Sequence, residues 1–229
     1  MPSFSLRAGL FCLLLAPVAS AITWPDTAER IERGSSSTDL VVRRAAARDV
    51  ASLGPTRARP IVLRLLGDTD LDVRLMAAEA AGKLRLREAV DTALGWLGER
   101  EPKLRVAACV LARTLPDRSR IPTIARALGD PDAQVRAAAA SALGAHVSGD
   151  IVAPLLGRID DPSPAVRVEV ASALAASGDE RAVVPLLGKV QDGAPEFRQA
   201  VARALGDLAD PRGASGLAVL TRDPVLDVK

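Results

Sequence analysis

The stretch Asp130–Gly144, DPDAQVRAAAASALG, decides the fold. It opens on an acid and a proline, carries a Val-Arg pair at 135 and 136, and runs through alanines to Gly144. An acidic side chain can cap free backbone N–H groups, proline suits a first helical turn, alanine has the highest helix propensity, and glycine ends helices. The stretch therefore reads as one short helix with its own start and stop signals.

Moving outward in steps of 31 residues meets the same pattern again. The anchor pair recurs as Val42-Arg43, Val73-Arg74, Leu104-Arg105, Val135-Arg136, Val166-Arg167, Phe197-Arg198 and Val228-Lys229, without one insertion. An acid stands six positions before the anchor at Asp68, Glu99, Asp130, Asp161, Asp192 and Asp223, and proline follows it at Pro131, Pro162 and Pro224. Between copies lies a second apolar stretch, as in Ile121–Leu128, Ile151–Ile159 and Ala182–Val190. Its prolines, Pro122, Pro154 and Pro185, fall in or near a first turn, where a missing N–H costs little. Each unit is thus a hairpin of two short helices, A and B.

Neither helix of such a hairpin can bury its apolar face alone, so the units must stack into one continuous core. The fold class expected is all-α: an α-solenoid, a right-handed superhelix of about six 31-residue hairpins over residues 37–229, with the last repeat incomplete. The last helix A, around Arg212–Thr221, is expected to expose its apolar side, either because further chain follows or because units associate end to end. Residues 22–36 are read as an N-terminal capping segment, with Ser35–Ser37 as a short hinge.

The segment Asp130–Gly144 resembles the B helix of HEAT repeats of the short, phycobilisome-lyase-like type. The resemblance covers roughly residues 37–229 and implies that the recurrent acid and Arg form hydrogen-bonded ladders between stacked units. It also names enzymatic alternatives. Deoxyhypusine hydroxylases of this fold class resemble arrays of His-Glu pairs holding two irons, and this chain has no His-Glu pair. Bilin lyases and isomerases share the short repeat, which implies a lyase or isomerase working through surface acids or Cys109. A structural spacer in a larger envelope protein is the third alternative.

Composition agrees with helices. Hydrophobic residues make up 48% of the 229 positions, which excludes a disordered chain, while aromatics are 2% and Tyr is absent. The first 21 residues, MPSFSLRAGLFCLLLAPVASA, combine Arg7, an apolar run from Ala8 to Val18 and the small triplet Ala19-Ser20-Ala21. This pattern predicts a signal peptide cleaved after Ala21, hence a periplasmic or secreted protein with no membrane insertion afterwards. Phe11 directly before Cys12 argues against a lipoprotein site. Removal of the leader leaves 29 basic against 28 acidic residues, so no global charge favours nucleic acid. Nor do the three remaining aromatics, Trp24, Trp96 and Phe197, suffice for base stacking.

The repeat supplies an internal alignment for each unusual residue. Cys109 occupies a position held elsewhere by Ala47, Ala78, Ala140, Ala171 and Ala202, so it is expected to be a small buried filler. His146 stands where Leu53, Leu84, Leu115, Ser177 and Leu208 stand, at the core or its rim. One histidine and one mature cysteine build neither a multi-imidazole metal site nor a Ser-His-acid relay. No catalytic residue, metal or cofactor is therefore assigned.

The remaining surface is that of helix B. On a helical wheel the positions −1, +3, +7 and +10 from the anchor form an apolar side, and +1 and +5 lie opposite. In HEAT arrays that opposite side lines the concave surface, which places Arg44, Arg48, Leu75, Glu79, Val106, Val110, Ala137, Ser141, Val168, Ser172, Gln199 and Arg203 along it. Its middle is small and apolar, rimmed by charge, as in protein-binding grooves. The expected function is a non-enzymatic scaffold that binds a protein or peptide partner along this face.

Overall fold

The small side chains of the repeat columns let short helices approach closely, and the molecule is built on that approach. A computed structural model describes Pro25–Val228; the predicted leader over 1–21 lies outside the described residues. Thirteen α-helices and no strand occur among the described residues. The B helices are α2 (Leu40–Asp49), α4 (Leu71–Lys83), α6 (Pro102–Thr114), α8 (Ala133–Gly144), α10 (Pro164–Ser177) and α12 (Pro195–Leu208). The A helices are α1 (Pro25–Gly34), α3 (Gly54–Leu65), α5 (Arg87–Leu94), α7 (Ile121–Ala127), α9 (Val152–Leu156), α11 (Val183–Leu187) and α13 (Ala214–Leu220). Each B helix packs on the next, and the A helices lie against them as a second layer.

The periodicity is realised as burial. The +3 column, Ala46, Ala77, Ala108, Ala139, Val170 and Val201, is buried throughout, and so is the +7 column from Val50 to Leu205. At −1, residues Val73, Leu104, Val135, Val166 and Phe197 are buried, whereas Val42 is 41% exposed. Among the described residues no B helix precedes α2, so Val42 and its neighbours Leu40 and Val41 lack the covering neighbour that every later unit has. Helix α1 packs on α2, and Ile31 of α1 is fully buried.

The recurrent acid and arginine join the units. Arg43, Arg74, Arg105, Arg136, Arg167 and Arg198 each reach the acid 25 residues on, at Asp68, Glu99, Asp130, Asp161, Asp192 and Asp223. In the strongest rung Arg136 donates from Nε and Nη2 to both oxygens of Asp161 at 2.7 and 2.8 Å, and its Nη1 donates back to the carbonyls of Asp130 and Pro131. Arg105 makes the same set to Asp130 and to the carbonyls of Glu99 and Arg100. Burial by itself would push the Asp161 carboxyl upward. The Arg136 guanidinium and the Ser163 N–H outweigh that and hold it below the usual carboxylate range.

Three local readings need correction. The recurrent acid is not the helix cap: Asp130 accepts the N–H of Asp132, and it is Asp132 that caps α8 by accepting from Gln134 and Val135. The same step places Asp70 at the head of α4 after Asp68. With its second oxygen committed to the preceding arginine, the acid serves as turn former and rung at once. Consequently Pro131 and Pro162 precede their helices, and the first-turn prolines are Pro102, Pro164 and Pro195. Nor is Ser35–Ser37 a hinge. Ser35 is buried, donates to the Glu32 carbonyl and accepts from Arg64, while the Ser37 hydroxyl accepts the Asp39 N–H. Finally, α13 does not expose its whole apolar side: Leu220 and Val228 are buried, and Gln199 donates to the Asp227 carbonyl across the last turn, although Val219 stays exposed.

Candidate partner-binding face

The B helices carry their exposed positions on the side away from the A layer, and an apolar cleft opens there between α4 and α6. Its volume is about 480 Å³, and it is lined only by residues of α4, α6 and Gln134 of α8. Leu75, Ala78, Val106, Ala107, Val110 and Leu111 make its walls; Glu79, Lys83, Lys103 and Gln134 stand at its rim. Gly82 adds no side chain over the buried Leu111 and the exposed Thr114, which border the cleft. Val110 is 44% exposed, a large apolar side chain left in contact with solvent.

The cleft lies at one of the two looser junctions between B helices, α2–α4 being the other. Helices α4 and α6 pack less closely than α6 with α8, α8 with α10 or α10 with α12. The ladder rung across this junction is also the one with Glu in place of Asp. Arg74 donates a single hydrogen bond to Glu99 at 2.9 Å, its Nε is buried without a partner, and its guanidinium sits 4.9 Å from the centroid of the Trp96 ring. The Glu99 side chain is 45% exposed and meets its arginine through one oxygen, as Asp192 meets Arg167, whereas Asp68, Asp130, Asp161 and Asp223 accept with both.

A second depression of about 280 Å³ lies between α8 and α10, lined by Ser141, Gly144, Ala145, Ser172, Ala173 and Ala176, with Arg113 and Glu169 at its edge. Gly144 lets α8 and α10 approach closely there, since a Cβ would stand 3.0 Å from Ala173. Arg48 and Glu79 border a third, small pocket between α2 and α4.

The twelve positions expected to line this face are thus distributed rather than gathered. Leu75, Glu79, Val106 and Val110 share the α4–α6 cleft, and Ser141 and Ser172 share the α8–α10 depression. Arg44 is committed to Asp70 and Asp72, and Gln199 to the Asp227 carbonyl, so both are structural. Ala137 and Val168 are half-buried and line neither depression, while Arg203 is exposed. The apolar row is therefore a local cleft and not a continuous stripe. Lys103, Lys83, Arg113 and Thr114 lie outside the +1 and +5 columns and were not anticipated; the apolar-to-charged alternation along α6 was the available signal.

Chemistry-bearing side chains elsewhere are inaccessible. Cys109 is fully buried, and burial pushes its thiol up to about 12. His146 is buried with its Nε2 lacking a partner, and burial, assisted by Arg120 and opposed by Asp117, lowers its pKa from the ordinary value. Among the described residues no group of three His, Cys, Asp or Glu is placed to hold a metal ion, and no helix is long and apolar enough to cross a membrane.

The family model described as HEAT repeats matches residues 27–112 and 152–229, and a HEAT repeat model matches 121–145. No curated protein sequence matches the chain. Solved structures resemble it in fold. YibA of Escherichia coli is 18% identical with a TM-score of 0.64, over 86% of this chain and 82% of its own. An engineered protein is 20% identical with a TM-score of 0.62, over 88% of this chain and 65% of its own. A designed armadillo repeat protein in complex with peptide (KR)4 is 16% identical with a TM-score of 0.61, over 79% of this chain and 98% of its own.

Proposed function

We propose, starting from the fact that this chain belongs to the HEAT-repeat family, that it is a non-enzymatic scaffold holding a protein or peptide partner on the face of its B helices. The observation that carries the reading is the α4–α6 cleft: an apolar floor and walls at the surface, enough volume for one or two aliphatic side chains, and a charged rim to orient what enters. Apolar surface left open beside polar groups is removed from water by a partner at roughly 25 cal/mol per Å². An array of similar architecture that holds an extended peptide supports the reading. Burial of the one thiol and the one histidine among the described residues supports a non-catalytic role. The leader-like N-terminus makes the cell envelope or the exterior the place where the partner is met.

The test uses an array of short peptides probed with the purified chain, followed by fluorescence titration of those that bind. Val110→Glu is expected to weaken binding at least tenfold, whereas Val184→Glu, at a valine 62% exposed on α11, is expected to leave it unchanged. Binding indifferent to Val110→Glu would refute this face as the docking site.

A further inference from the structure

The turns that lead from each B helix into the next A helix form one edge of the array, and that edge changes sign halfway along. Neighbouring turns touch: Arg59 pairs with Glu88, Arg120 donates to the Arg87 carbonyl, Arg118 pairs with Asp150, Arg181 donates to the Gly149 carbonyl and Arg212 pairs with Glu180. The first three turns, 52–58, 83–89 and 114–120, hold six basic and two acidic residues; the last three, 145–151, 176–182 and 207–213, hold two basic and five acidic. The edge is therefore +4 along one half and −3 along the other. The units behind it follow the same sign, with 19 basic and 14 acidic residues over 22–129 against 10 and 14 over 130–229. Internal pairing does not cancel the difference. Arg57, Arg85 and Arg87 are exposed and make no ion pair among the described residues, and neither does the exposed Asp207. Arg212 is shared between Asp210 and Glu180, and the Glu180 side chain is 76% exposed. Where the sign changes the edge is apolar, with Pro116 exposed and Val147 81% exposed.

We infer that this edge binds a second copy of the chain, turned end for end about a two-fold axis through the boundary of the third and fourth turns. A surface positive along one half and negative along the other is complementary to itself in that arrangement, and the contact closes at two copies. The axis sets each turn against the turn counted from the other end. It also exchanges the two sides of the edge, so the end of a B helix faces the start of an A helix. Arg85 and Arg87 of one copy then meet Asp179 and Glu180 of the other, Arg57 meets Asp207, and Pro116 and Val147 cover each other at the centre. An acidic partner of another kind would use only the basic half of the edge and leave the acidic half and the exposed Val147 without a role. Six turns at about 10 Å per unit, on an edge about one helix wide, give roughly 500 Å² per copy, near the lower limit for a specific complex. The dimer is therefore weak, and salt weakens it further, because exposed ion pairs are screened. The face of the B helices stays free, so this inference goes beyond the scaffold reading and does not depend on it.

Sedimentation velocity of the purified chain at about 100 µM, in about 50 and about 500 mM salt, tests it. A species of twice the chain's mass is expected at low salt and a single chain at high salt. The double variant Arg85→Glu, Arg87→Glu and the single variant Glu180→Arg each set like charges against each other in both halves of the contact. Each alone is therefore expected to stay a single chain at low salt. Mixed in equal amounts they are expected to form the dimer again, because both halves of the mixed contact are then opposite in sign. Val147→Asp is expected to weaken the dimer at least tenfold, and far-UV circular dichroism of all three variants is expected to match that of the parent chain. A single chain at low salt, a dimer that both charge variants retain, or folded variants that do not reassociate when mixed would overturn the inference. Growth beyond two copies would overturn it as well, since a two-fold contact closes.

Discussion

Gly178 and Ala209 occupy equivalent positions of successive units, and both have positive φ, at 65° and 50°. Gly54 and Arg85 share that position, at 72° and 54°, so four of the six units turn through the left-handed region after helix B, while Pro116 and Val147 at the same position do not, and only two of the four left-handed residues are glycine. Gly206, three residues before Ala209, is helical and has open space where a Cβ would go. The two glycines therefore predict opposite signs. Gly178→Ala is expected to cost about 1 kcal/mol through left-handed strain, and Gly206→Ala to gain about 0.5 to 1 kcal/mol by helix propensity. Urea unfolding of both variants checks this, and equal signs would contradict it.

His146 makes the second prediction at this scale. Its pKa is lowered in the folded chain, first by burial, with Asp117 opposing and Arg120 assisting. In the unfolded chain it protonates near 6.5. Between that value and the lower folded one the unfolded state binds more protons, so stability falls as pH drops through about 6.5. Asp179 and Asp210, held at about 2 by Arg181 and Arg212, contribute only in more acidic solution. His146→Leu, which restores the residue common at this position, is expected to flatten the melting temperature between pH 7.5 and 5. A wild-type decline that survives the substitution would contradict the assignment. That His146 and Cys109 are buried was legible from the repeat columns, because equivalent positions share environments. The unsatisfied Nε2 was not, because it depends on which polar atoms neighbouring loops bring near.

At the scale of elements, the ladder fixes how each hairpin sits on the next, and its rungs differ in what their removal leaves behind. Arg136→Ala strands the Asp161 carboxylate, whose side chain is fully buried, and is expected to cost roughly 3 kcal/mol. Arg74→Ala leaves the exposed Glu99 and loses one hydrogen bond and the Trp96 contact, for an expected cost of about 1 kcal/mol. Chemical denaturation of the two variants measures the difference, and equal costs would contradict a rung-by-rung ladder. The ladder was legible because its partners recur in register, acid to arginine, in every unit. A second set of ties was not: Arg118 to Asp150, Arg181 to the Gly149 carbonyl, and Arg212 to Glu180. These join the turns before the A helices at a constant step of 32 residues, from the column 118, 149, 180 to the column 150, 181, 212, but the residue types change from unit to unit, so no recurring pair of residues announces them. The cap positions were misplaced for a related reason, since an Asp-Pro pair and an Asp two residues later make equally good starts in one dimension, and only the arginine's claim on the first acid separates their roles.

At the scale of the whole molecule, the repeat makes a two-layer array, and its departures from regularity locate the site. From α6 to α12 the B helices close against one another; α4 and α6, like α2 and α4, pack less closely, and between α4 and α6 the apolar cleft opens. Val106 and Val110 could be read from the sequence as facing that side. The depth of the cleft could not, because it arises from how two helices sit relative to each other rather than from either helix alone. The measurement that bears most directly on the docking claim is a methyl NMR titration of the Val- and Leu-labelled chain with a peptide that the array selects. The account predicts chemical-shift changes concentrated at Leu75, Val106 and Val110, with the more exposed Val147 and Val184 unmoved. Changes centred on Val147 or Val184, or a spectrum that does not respond to a peptide shown to bind, would contradict it.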